Sequence, residues 1–289
     1  MAGTTLLMHI LNGLAYGMLL FMIAAGLSII FGLMHVVNLA HGTFYLVGVY
    51  VAYSFVKQGM GFWPSLLVAI VIVSILGILM EKLLLERVYG MELEQVLLTF
   101  GLSFIFADIV KWIWGSSPLT LPIPMNLDVS MNLGVMMFPA YRIFVILIGC
   151  LLAVFLWYME NKTRIGAVIR AGVDDREMLS ALGINIKGVF TCIFAVGAGL
   201  AGLSGVLGGP IMGMYVGIDS EILISSLVIV VVGGLGTWKG AFVGAILVGV
   251  VDTLGRVYLP SLTMAMVFAI MIVVLLMKPN GLFGKGAHA

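Results

Sequence analysis

Few residues in this chain are placed to do chemistry. In the stretch NLAHG, Asn38 and His41 interrupt apolar sequence, with Gly42 directly behind them. Polar side chains in such a setting usually face the interior of a helix bundle or a cavity. They would therefore line a polar path or brace a helix break that Gly42 permits; the alternative is a packing histidine at a helix end. Thr99 and Ser103, four apart on one helix face, could line the same path or bond the carbonyls of their own helix. The stretch GGLGTWKG holds Gly233, Gly234, Gly236 and Gly240. It looks like a phosphate loop, but Lys239 precedes Gly240 and the G-x-x-x-x-G-K-[ST] order is missing. Nucleotide binding by this chain is rejected on that ground, and the glycines are read as a break or turn at membrane depth. The carboxylates Asp174, Asp175 and Glu177 have no nearby His, Cys or metal-ligand spacing. No catalytic residue, metal site or cofactor is expected. Asp108 with Lys111 (i, i+3) and Asp252 with Arg256 (i, i+4) have the spacing of helical ion pairs. Cys150 and Cys192 sit in apolar runs and are read as buried structural thiols.

The elements that must hold these residues follow from composition. Hydrophobic residues make up 62% of the 289, and charged residues 9%. A soluble domain is nearer a quarter charged, so the chain is an integral membrane protein with little mass outside the bilayer. At about 20 residues per spanning helix, it holds eight or nine spans, as one all-α polytopic helical bundle over residues 1–289. The formal net charge of +1 gives no case for nucleic acid as a partner. Residues 1–12 lack the basic start of a cleavable signal peptide.

Taken in order, Leu6–Leu33 is one apolar run, longer than a single span needs, and is expected to be tilted or interrupted. Further runs cover Phe44–Val56, Phe62–Leu85, Val96–Trp114 and Tyr141–Met159. Ser116–Pro139 reads as a proline-rich loop. Val189–Leu207, the short Ile222–Leu235, Ala241–Tyr258 and Leu262–Met277 complete the set. Gly197, Ala201, Gly205 and Gly209 recur at four-residue spacing, as do Gly240 and Gly244, which lets helix backbones pack closely within the chain.

Between the fifth and sixth runs lies a polar island, Glu160–Gly188, holding five of the fourteen Lys and Arg residues. If the island faces the cytoplasm and each run crosses once, ten basic residues fall on that side and four on the other. This satisfies the positive-inside rule. The reading gives nine crossings with the N-terminus outside and the C-terminus inside, or eight if Ile222–Leu235 is re-entrant. Inside the island, Asp174 is an N-cap candidate and Glu177 would complete a capping box. Met178, Leu179 and Leu182 form an apolar stripe, and Gly183 is placed as the C′ residue. A helix of about two turns does not hold itself in water, so it needs its own protein or a partner. Ile165, Val168 and Ile169 offer a second apolar face beside Arg164 and Arg170.

The run TRIGAVIRAGVDDREMLSALGIN resembles the cytoplasmic EAA-type loop of ABC importer permeases, and most closely the branched-chain amino acid permeases of the LivH type. Thr163, Gly166, Arg170, Ala171, Gly183, Ile184 and Asn185 carry the match. GLSIIFGLMHVVNLAHGTFYLVG, TFGLSFIF and VVGGLGTWKG are similar to other landmarks of that family, so the resemblance runs along nearly the whole chain. One departure is that Asp174-Asp175 is followed by REMLSA, where many relatives have an alanine-rich run.

The resemblance implies a permease subunit of an ATP-driven importer in the inner (plasma) membrane, moving branched-chain or other hydrophobic amino acids. Its implied partners are a second, longer permease subunit, two cytoplasmic ATPase subunits and a periplasmic substrate-binding protein. ATP would be hydrolysed on the separate subunits, making this chain a non-enzyme. It further implies a coupling loop at 160–188 involving Thr163, Arg164, Gly166, Arg170, Asp174, Glu177, Met178, Leu179, Leu182, Gly183 and Asn185. Asn38, His41, Gly42, Thr99, Ser103, Gly233, Gly234 and Gly236 become candidates for the translocation path. Urea and short amides use similar permeases. The rival from another class, an ion-coupled secondary carrier, would want a cluster of ionisable residues deep in the spans; His41, Asp108 and Asp252 are the candidates.

Overall fold

The computed structural model describes residues 2–132, 134, 136–174, 179, 181 and 183–284, and it is an all-α bundle. The helices are α1 (Ala2–Met34), α2 (His41–Lys57), α3 (Phe62–Leu83), α4 (Glu92–Trp114) and α5 (Ala140–Lys162). They continue as α6 (Arg164–Asp174), α7 (Ile186–Met212), α8 (Ile218–Gly233), α9 (Trp238–Tyr258) and α10 (Thr263–Met277). Seven are long and apolar enough to cross a membrane, α10 reaching that length with the 3₁₀ turn Pro260–Leu262 before it. α2 and α8, at 17 and 16 residues, fall short of it. The proline-rich connection carries a small antiparallel hairpin, Ser130–Asn132 against Met137–Pro139.

α1 is the core of the bundle. It packs on α9, α7, α5 and α8, and residues Met18–Ala25 are sealed from solvent. Its 33 residues form one uninterrupted helix, about 50 Å long at 1.5 Å per residue. Of the two alternatives, tilted or interrupted, the interruption is absent, because its glycines serve another end. Gly13 and Gly17 stand against the backbone of α9, and Gly26 against Gly197 of α7. Lipid supplies no hydrophobic drive between helices, so close backbone approach is what holds such pairs. The same logic applies between α2 and α7, where a Cβ on Gly205 would overlap the Tyr45 carbonyl. The repeating small residues are thus spent inside the chain.

α4, α5 and α10 expose most of their length. On α4, Leu97, Phe100, Phe104 and Trp112 all point outward, as expected where lipid is the solvent. Cys150 and Cys192 are also on the outer surface, both free and exposed. The expectation of buried thiols is overturned, because an apolar run in a membrane protein has an apolar outside as well as an apolar core.

The two ends of the bundle differ in charge. At one end Lys187 meets Glu86 at 2.6 Å and Lys239 meets Glu160 at 3.6 Å. The segment 279–284 lies against the end of α8 at this same end, Leu282 and Phe283 donating backbone N–H groups to the Val232 and Gly233 carbonyls, each at 2.9 Å. At the other end Arg142 bonds Asn12, Trp114 Nε1 donates to Ser54 Oγ at 2.7 Å, and Leu119 bridges Met214. Lys57, Lys111, Arg142 and Arg256 all belong to this second, sparsely charged end. Among the described residues, two further segments, each an irregular stretch plus a shorter helix, lie between the seven long helices: residues 35–40 with α2, and residues 213–217 with α8.

Candidate functional site

The first functional region is the break before α2. α1 ends at Met34 and is followed by His35, whose φ of 53° is the one left-handed value at a described non-glycine residue. Residues 35–40 then climb back through the bundle. His41 Nε2 donates to the Ile23 carbonyl at 3.1 Å, eleven residues before the end of α1, or about 16 Å up the helix. α2 thus begins near mid-depth. Irregular backbone at that depth is tolerated only where it is buried in protein or lines a water-filled cavity, and side chains answer two of its N–H groups here. Thr99 Oγ1 accepts from the Leu39 N–H at 3.1 Å while bonding the Gln95 carbonyl at 2.9 Å. Asn38 Oδ1 accepts from the Ala40 N–H at 3.0 Å, folding the chain into the start of α2.

Gly42 is where α2 meets α8. A Cβ there would overlap the Asp219 carbonyl and stand 2.9 Å from Leu223 Cβ. The N-terminal ends of both short helices therefore meet inside the bundle. Asp219 Oδ1 accepts from the Gly217 N–H at 3.0 Å. Asn38 Nδ2, His41 Nδ1, Thr43 Oγ1 and Ser28 Oγ are buried around the break without a protein partner. Such groups are uncommon in folded proteins and mark places where water or a ligand completes the structure.

Thr99 and Ser103 have separate places. Ser103 is half-exposed and its hydroxyl donates back to the Phe100 carbonyl at 2.7 Å. Asp252 and Arg256 form the expected pair at 2.7 Å. Asp108 and Lys111 are not among the ion pairs of the described residues, so that expectation is corrected; Lys111 is free to reach water at the end of α4.

The second region is the charged end. Thr163 caps α6, its Oγ1 accepting from the Gly166 N–H at 3.2 Å and donating to the Met159 carbonyl at 2.6 Å. A Cβ on Gly166 would overlap the carbonyls of Met159 and Glu160, so only glycine lets α6 fold back this tightly on the end of α5. Arg170, about one turn on, donates to the Glu160 carbonyl and fixes the contact. The T-x-x-G-x-x-x-R spacing is thereby explained as cap, close approach and clamp. Asn185 caps α7 by accepting from the Gly188 N–H at 3.1 Å.

Asp174 is the last residue of α6, and Leu179 and Ala181 are helical again; the capping box expected of Asp174 and Glu177 lies outside the described residues. Asp175, Glu177, Met178 and Leu182 lie outside the described residues, as does the Asp174 side chain. Gly183 has φ +79°, and the Ile184 N–H donates to the Leu179 carbonyl at 3.2 Å. That six-to-one bond around a left-handed glycine is a Schellman closure. Leu179 is buried near Leu33 and Gly172, so its side chain packs on its own protein.

Residues that sequence reasoning passed over tie this end together. Glu160 Oε2 accepts from Trp238 Nε1 at 2.7 Å, pinning α5 to the start of α9. Glu81, buried, accepts from Tyr89 and from Thr191 Oγ1 at 2.8 Å, which joins the α3–α4 turn to α7. Burial first, and then the Glu81 carboxylate, hold the Tyr89 hydroxyl protonated well above the ordinary phenol range. The signal for Glu81 and Glu160 was their position, a lone acid closing an otherwise apolar run.

Gly233, Gly234 and Gly236 are at this same end, not at mid-depth. Gly234 (φ +103°) faces residues 280–284, and Gly236 (φ +78°) faces Gly32 at the end of α1. The glycine-rich stretch makes the turn from α8 to α9 and seats the 279–284 segment. Beside it a cavity of 690 Å³ opens between α1, α5, α6, α8 and α10. Gly166, Arg170 and Gly236 line it together with Glu160 and Lys239.

A polytopic bundle with broken crossings inside and a clamped surface helix at its basic end defines the class of multi-pass membrane transport subunits. The chain belongs to the family described as branched-chain amino acid transport system / permease component, whose pattern matches residues 9–275. It is 30% identical to the high-affinity branched-chain amino acid permease protein LivH of Salmonella typhimurium, over 96% of each chain. It is 28% identical to BraD of Pseudomonas aeruginosa, again over 96% of each. LivM of Escherichia coli is 27% identical, with 92% of this chain matching 68% of that protein. A solved structure, PsaBC from Streptococcus pneumoniae in complex with Fab, shares the fold with a TM-score of 0.52 at 12% identity, covering 94% of this chain and 92% of that one.

Proposed function

We propose that this chain is the shorter permease subunit of an ATP-driven importer that carries branched-chain or other hydrophobic amino acids across the inner membrane. The observation that carries the reading is the end-to-end match to LivH and BraD, with Thr163, Gly166 and Arg170 of the matched residues clamping one surface helix to α5. The basic end, with α6, faces the cytoplasm, as the positive-inside rule directs. The N-terminus is outside and the chain passes nine times. A longer permease of the LivM kind completes the pore, two ATPase subunits dock on the 160–188 region, and a periplasmic binding protein delivers substrate. Asn38, His41, Gly42 and Thr99 shape the inner part of the path, while the chain itself performs no covalent chemistry.

In this mechanism, closure of the ATPases on nucleotide pushes α6. Because α6 is clamped to α5 through Thr163, Gly166 and Arg170, and α5 to α9 through Glu160 and Trp238, the push moves spans rather than a loose loop. The test is reconstitution of the chain in proteoliposomes with and without the three partner subunits and the binding protein. ATP-dependent leucine uptake by the full set, and none by the chain alone, is expected. Uptake by the chain alone under an ion gradient would instead establish a secondary carrier.

A further inference from the structure

The cavity at the basic end joins three chemistries. Its floor is apolar, made by Ile29, Leu156, Val231 and Leu275. On its rim Glu160 carries a carboxylate, and Arg170 and Lys239 carry cations. Each rim charge has capacity left. Lys239 Nζ is 3.6 Å from Glu160 Oε2, beyond good hydrogen-bond length. Arg170 gives one of its five N–H groups to the Glu160 main-chain carbonyl. An acid set beside two bases above an apolar floor suits a small apolar zwitterion. A nucleotide or anionic lipid would be repelled by Glu160, and an uncharged amide would leave the paired charges of the rim unused. The 690 Å³ volume falls in the range of small-molecule sites.

We propose that this cavity is the exit chamber, a second amino acid site on the cytoplasmic side, where Glu160 takes the α-ammonium group, Arg170 and Lys239 take the carboxylate, and the floor takes the side chain. The proposal rests on the importer reading above and adds a location to it. α6 supplies one wall through Gly166 and Arg170. Displacement of α6 therefore changes the chamber directly, so the helix pushed by the ATPases is also part of the release site.

The experiment uses the complete transporter in nanodiscs, with Cys150→Ser and Cys192→Ser removing the exposed thiols and Leu235→Cys placing one on the exposed lip of the chamber. Labelling by a membrane-impermeant maleimide is followed with leucine, isocaproate or isoamylamine present; the latter two lack the ammonium and the carboxylate respectively. Leucine protects, and the other two need about tenfold or higher concentrations, since a charge-assisted hydrogen bond is worth at least that factor. As a second arm, Leu275→Trp fills the floor and lowers leucine uptake by roughly tenfold or more in a complex that still assembles. Equal protection by all three compounds, absence of protection, or full uptake by the Leu275→Trp transporter overturns the chamber while leaving the importer reading intact. Failure of the unmodified transporter to take up leucine under ATP would be the separate failure of that reading.

Discussion

Replacing Thr99 by Val tests whether one hydroxyl holds the break between α1 and α2. Thr99 is fully buried. Its Oγ1 is the acceptor for the Leu39 N–H and donates to its own helix. Val matches its shape, so packing is kept while the acceptor is lost. An orphaned buried N–H costs about 1–3 kcal/mol. The lost donation adds little, because the Gln95 carbonyl also serves helix α4. The expected destabilisation is therefore about 1–3 kcal/mol, most of it local to residues 35–40. Thr99→Ser keeps the hydroxyl and loses one methyl, about 0.8 kcal/mol by burial. The assay is unfolding of the purified subunit in mixed micelles, read alongside hydrogen exchange at Leu39. Thr99→Val should accelerate exchange at Leu39 about 5- to 150-fold if opening follows the same free energy, with Thr99→Ser close to the unmodified protein. Equal behaviour of Val and Ser would refute the reasoning, showing that the methyl and not the hydroxyl supports the break.

Two further perturbations separate buried from exposed interactions. Glu81→Ala strips the partner from Tyr89 and Thr191 and should destabilise by about 2–3 kcal/mol, lowering the melting temperature, whereas Glu86→Gln breaks only the exposed contact with Lys187 and should leave it unchanged; a matching drop for both would contradict the burial argument. Gly205→Ala puts a Cβ into the Tyr45 carbonyl, forcing α2 and α7 apart at a cost of about 1–3 kcal/mol or more, which a thermal melt of the purified subunit would register. The neighbouring Ala201→Gly, which opens space instead, should not separate them, and cross-linking yield between cysteines on α2 and α7 distinguishes the two.

Much of the architecture was legible because lipid imposes a simple grammar. Apolar runs became helices at nearly the expected places, and the uneven distribution of Lys and Arg separated the two ends. The family motifs at Thr163, Gly166, Arg170 and Asn185 marked residues that prove to be caps and close approaches. What misled was local pattern read without partners. No helix start was read at Thr163, yet α6 begins directly after it, because the Thr163 hydroxyl and the contact of Gly166 with α5 decide the start. The glycines at 233–236 suggested a break at depth, but the backbones they meet, Gly32 and residues 280–284, come from segments far away in sequence. Asn38, His41 and Gly42 were recognised as special from their setting. Their true geometry depends on Ile23 and Asp219, which no spacing rule connects to them.

The strap formed by residues 279–284 bears on how the subunit is made. Leu282 and Phe283 bond carbonyls of residues fifty positions earlier, 282 against 232 and 283 against 233, with α9 and α10 synthesised in between. A ribosome works from the N-terminus, so α8 enters the membrane before Leu282 and Phe283 exist, and the Val232 carbonyl meets its donor only after α10 has followed. Unpaired backbone groups at a helix end favour water over hydrocarbon. α8 is thus finished out of turn: Leu282 and Phe283 complete a helix laid down well before them, at the basic end of the bundle.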